Sequence, residues 1–109
     1  MTDAFSAAID DLFANPDIAR DVVWRPRGIG DGIPVRAIVR RPDRNAEFGD
    51  IAVHTATAVF EVRVSEVPTP AEGDTITLVG TLDGETFVVQ GEPVRDAERL
   101  VWAIDTRLA

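Results

Sequence analysis

Phe5, Ala8, Ile9, Leu12 and Phe13 recur at i, i+3, i+4, i+7 and i+8, which places them on one face of a helix over residues 1–15. Thr2 or Asp3 caps its start, and Asn15-Pro16 ends it, because a residue before proline is pushed out of helical geometry. A helix of about three turns is marginal by itself, so its apolar stripe requires a surface to pack on. That surface is either the chain's own domain or a neighbouring subunit. After Asp17 the spacing changes to period two. Val22 and Trp24 alternate with Val23 and Arg25, and Pro26 ends the run. A turn-rich stretch from Arg27 to Gly32 leads into Ile33 to Arg40, with Ile33, Val35, Ala37 and Val39 on one face. Ala58, Phe60, Val62 and Val64 form the apolar face of Thr57 to Val64, and further strands are expected over Thr75 to Val79, Thr86 to Gln90 and Leu100 to Asp105. In the last of these Leu100, Trp102 and Ile104 are expected to close the core. Gly73-Asp74, Asp83-Gly84 and Gly91-Glu92-Pro93 supply the turns. Short strands at this spacing behind one helix predict a mainly β fold: a small antiparallel barrel or sandwich of six to seven strands over 22–106.

With 109 residues the chain has the length of a single domain, 1–109. Its 45% hydrophobic and 28% charged residues are those of a folded globular protein. No apolar run is long enough to span a membrane. An N-terminus without a basic start and apolar stretch predicts synthesis in the cytoplasm without export. The absence of cysteine excludes disulfides, thiolate metal sites and cysteine nucleophiles, and His54, the only histidine, cannot build a multi-histidine cluster within one chain.

The net charge of −8 is unevenly distributed. Residues 20–44 carry seven arginines against three acids, whereas residues 45–94 carry nine acids against Arg63 alone. An acidic whole with one basic segment argues against non-specific nucleic-acid binding, which needs a broad cationic face. It suits docking between protein surfaces of opposite sign.

None of the chemical motifs builds an active site. Gly28-Ile29-Gly30-Asp31-Gly32 lacks the lysine and the following helix of a phosphate loop, since Pro34 and an alternating strand come next. Asp10-Asp11 and Glu72-Gly73-Asp74 are acids on a solvated helix face and in a turn, without the intervening cleft a glycosidase pair needs. Trp24 and Trp102 fall in alternating strands, where a tryptophan serves the core more often than it stacks a base. Neither catalysis, a cofactor nor a metal is expected.

The stretch from Arg41 to Ala56 is long for a hairpin connection, with Phe48, Ile51 and Val53 as its apolar anchors and a brief strand expected over Asp50 to Val53. Phe48 beside a cluster of arginines has the composition of a partner-binding element. Arg36, Arg40, Arg41, Arg44 and Phe48 are therefore the candidate assembly interface.

The second half also carries an ordered set of short motifs. Phe60-Glu61-Val62-Arg63-Val64 leads through a proline-containing turn to Gly73-Asp74-Thr75-Ile76-Thr77, then to Gly84-Glu85-Thr86-Phe87-Val88-Val89 and to Arg99-Leu100-Val101-Trp102. The first half contributes the Phe-containing N-terminal helix, Pro34-Val35-Arg36-Ala37-Ile38 and Arg41-Pro42-Asp43 before the long loop. In this order and spacing the chain resembles, over nearly its whole length, the head–tail joining proteins of tailed bacteriophages and phage-derived particles, the head-completion or stopper group. Thr81-Leu82-Asp83 makes the hairpin before Phe87 longer than the tightest family pattern.

The resemblance implies a structural virion protein that forms a homo-oligomeric ring between the portal and the tail or its terminator protein. It implies assembly in the host cytoplasm and passage of DNA through the lumen without specific binding. The basic and acidic segments would supply complementary edges of such a ring. Two other readings are a different tail or baseplate subunit on the same small β fold, and an oligonucleotide-binding barrel. The latter would need exposed aromatics beside cations, which 6% aromatic residues and a pI near 4.4 do not favour.

Overall fold

The computed structural model describes residues 4–40, 57–80 and 84–109. Helix α1 (Ala4–Ala14) is followed by β1 (Arg20–Arg25), a 3-10 turn (Pro26–Gly28), β2 (Ile33–Arg40), β3 (Thr57–Arg63), β4 (Thr75–Leu78), β5 (Thr86–Val89), β6 (Val94–Arg95) and β7 (Val101–Leu108). The strands are hydrogen-bonded in the order β3-β2-β1-β4-β5-β7-β6, and β3 also pairs with β7. That last pairing, from Thr57↔Arg107 to Arg63↔Val101, closes six antiparallel strands into a barrel and removes their edges. β6 is the extra strand. It pairs with β7 at Trp102 and Ala103, while β5 pairs with the same side of β7 further on, from Thr106 to Leu108.

The period-two pattern turns one face of each strand inward. Val22, Trp24, Val35, Ala37, Ala58, Phe60, Val62, Ile76, Leu78, Phe87, Val89 and Ile104 fill the interior. Phe60 and Phe87 meet edge to face across it with centroids 5.4 Å apart. Thr106 occupies an inward position as well, and its hydroxyl donates to the Ala58 carbonyl at 2.8 Å.

Several details differ from the sequence expectation. The final strand starts one residue later and runs on to Leu108, because Thr106 is tolerated inside once its hydroxyl is bonded. Trp102 is only half-buried: it packs on the margin of the core, and the Arg95 guanidinium lies 5.1 Å above its ring. β6 was not legible in the pattern, since both of its residues are exposed. The segment 41–56, with its expected strand, and Thr81 to Asp83 lie outside the described residues.

Candidate assembly interface

α1 is fastened to the barrel through its C-terminal half. Phe13 is the one buried residue of the helix, and it sits over two arginines that neighbour each other on the outward faces of β2 and β3. Arg36 donates through Nε to the Phe13 carbonyl at 2.9 Å, through Nη2 to the Ala19 carbonyl at 3.1 Å and through Nη1 to Asp21 at 3.0 Å. The first bond satisfies a carbonyl in the last turn of the helix, which no further turn can reach, and the second a carbonyl immediately before β1. Arg63 holds Asp10 at 3.1 Å and Glu66 at 2.9 Å, and its guanidinium lies 5.3 Å from the centre of the Phe13 ring. Burial alone would lower the Arg63 pKa, but the bonds and charges of Glu66 and Asp10 outweigh it and leave the group raised above its ordinary value. Glu66 also accepts the Arg36 backbone N–H at 3.2 Å, which joins the two arginines into one clamp.

This clamp rotates the helix relative to its apolar stripe. Ser6, Ile9 and Phe13 are the residues withdrawn from solvent, and Asp10 reaches Arg63 from the adjoining flank. Phe5, Ala8 and Leu12, the other half of the stripe, point away from the barrel; Phe5 is 62% exposed and Leu12 41%. Asp11 lies beside them, and its carboxylate has no partner among the described residues. The molecule thus displays a short apolar ridge with an acid on its margin.

The predicted interface residues divide into two groups. Arg36 is a tether of α1, with its guanidinium spent inside the chain. Arg40 is exposed at the end of β2 and forms an ion pair with Glu61 across β3. Arg41, Arg44 and Phe48 lie outside the described residues. Of the remaining arginines of the basic segment, Arg20 donates to the Val79 carbonyl, and Arg25 donates to the Gly30 carbonyl and to Thr77. Only the Arg27 side chain has no partner among the described arginines of this segment. Arg36 and Arg40 are thus paired with acids within the fold, while Arg20 and Arg25 are hydrogen-bonded to neutral oxygens.

No helix among the described residues is long and apolar enough to cross a membrane. The described residues also bring no three His, Cys, Asp or Glu side chains into an arrangement that could hold a metal. His54 lies outside them.

The model for the Phage Head-Tail Attachment protein family matches residues 1–106. The chain belongs to this family. It is accordingly a structural protein of the phage particle, with head and tail components as its partners. A search of curated proteins finds no match.

Proposed function

We propose that the chain completes the head by forming a homo-oligomeric ring between the portal and the tail, through stereospecific docking and without bond chemistry. The observation that carries this reading is the exposed half of the α1 stripe. Phe5, Ala8 and Leu12 stay uncovered although the barrel's own core is filled, and the clamp of Arg36 and Arg63 holds the helix in that orientation. Covering Phe5 and Leu12 in an assembly would contribute about 1.5–3 kcal/mol each. A closed ring needs two different, mutually fitting edges on each subunit. The α1 ridge is one such edge. Arg40, with Arg41, Arg44 and Phe48 from the adjoining segment, supplies a basic and aromatic contact for a second. The net charge of −8 suits a conduit through which DNA slides without being held. Assembly takes place in the host cytoplasm.

The test is the double variant Phe5→Asp/Leu12→Asp, introduced in place of the native gene. The expected outcome is loss of joined particles, with heads and tails both present and with the isolated variant as stable as the native chain. Normal joining by this variant would refute a role for the ridge.

A further inference from the structure

Closure of the barrel leaves one strand with an open side. β6 pairs with β7, and among the described residues its other edge has no strand partner. Such edges are ordinarily blunted with lysine, proline or a bulge. This edge is two residues long and follows Pro93; Val94 is 64% exposed, and the neighbouring Arg95 guanidinium lies over the Trp102 ring. A groove of about 720 Å³ lies alongside, lined by Val94, Arg95 and Trp102 together with Pro70 and Glu72. The indole N–H of Trp102 is buried without a hydrogen-bond acceptor.

Acids outnumber bases in the lining of this groove. Glu72 and Glu92 both line it, both are exposed, and neither carboxylate has a partner among the described residues. Arg95 is the one base in the lining, and its exposed guanidinium keeps its charge while it lies over the tryptophan face. We propose that the groove receives an extended basic segment of a partner protein, which adds to β6 as a further strand. Main-chain hydrogen bonds to β6 would hold it. An apolar side chain would rest against Val94 and Trp102, and a lysine or arginine beside it would meet Glu72 and Glu92. This is recognition by strand addition, in which the sheet edge supplies affinity and the flanking side chains supply specificity. The inference rests on the joining role proposed above and adds a further contact, remote in sequence from α1.

The experiment uses tail-less heads and free tails purified from an element lacking this gene, with the full-length chain added back. The native chain is expected to bind at least one of the two. Glu72→Arg/Glu92→Arg should weaken that binding by roughly tenfold or more. Asp17→Arg/Asp31→Arg, which makes the same change in net charge away from the groove, should bind as the native chain does. Circular dichroism and thermal melting of both variants should match the native protein. Undiminished binding by the groove variant, or equal loss in both variants, would overturn the inference and leave the joining role standing. Failure of the native chain to bind either particle would overturn the joining role itself, and the groove's occupant with it.

Discussion

At Asp74 a single side chain organises one end of the barrel. The residue is 4% exposed, and its carboxylate accepts from the Trp24 indole at 3.2 Å, from the Ala71 N–H at 3.0 Å and from the Arg27 N–H at 2.9 Å. It thereby fixes a core tryptophan, its own turn and the 3-10 turn after β1. Arg27 is held at φ 57°, in the left-handed region where a side chain is strained, and the bond to Asp74 helps to offset that cost. Asp74→Ala would leave three donors without an acceptor, one of them on a buried ring, at a cost of about 2–4 kcal/mol. Urea denaturation of the variant should show the midpoint fall with an unchanged slope. A midpoint equal to that of the native protein would mean that water replaces the carboxylate. The sequence marks Gly73-Asp74 as good turn chemistry and nothing more. Its reach to Trp24 spans 50 positions, and no local pattern records a contact of that kind.

At the scale of elements, α1 shows where periodicity stops being informative. The i, i+3, i+4 spacing locates the helix correctly, because any docked helix must show an apolar stripe. It does not say which part of a wide stripe meets the barrel. That choice is made by Arg36 and Arg63, whose polar bonds pull Phe13 and Asp10 inward and swing Phe5 and Leu12 out. Arg36 reads along the sequence as a free cation in a basic segment, and only the fold brings the Phe13 and Ala19 carbonyls to it. Its removal should therefore loosen the helix without disturbing the sheet. For Arg36→Ala, amide exchange in the last turn of α1 is expected to quicken by roughly tenfold, since hydrogen bonds from a charged donor contribute about 1.5–3 kcal/mol. Exchange in β3 and β7 should stay as slow as in the native protein. Uniform acceleration throughout the chain would show that the arginine supports the barrel instead. Apart from β6, the described strands were legible to within two residues, except that β7 runs three residues beyond the expected Asp105. β6 has no buried face to impress a period on the sequence.

For the whole molecule, the division between a basic and an acidic half turns out to be partly internal. Arg36 meets Asp21, Arg40 meets Glu61, and the lone base of the acidic half, Arg63, meets Asp10 and Glu66. The Arg36–Asp21 and Arg40–Glu61 pairs each have an exposed partner and bear more on how the surface presents charge than on stability, whereas Arg63 and Glu66 are largely withdrawn from solvent. Among the described residues several charges stay unmatched, including Asp11 beside the apolar ridge, Arg27 at the 3-10 turn, and Glu72 and Glu92 at the β6 groove. This distribution, a self-contained core beneath surface charges left over for partners, suits the docking proposed above. Family membership was legible through the order of turn and strand motifs, each of which reflects ordinary β chemistry alone. The docking surfaces were not, because a residue's exposure in a folded molecule is a property of the fold.

The most direct measurement of the central claim is electron microscopy of particles made after this gene is deleted from its own element. The account predicts filled or leaking heads accumulating beside complete, unattached tails. Normal joined particles, or heads without any tails, would contradict it; the second result would place the protein in tail assembly instead.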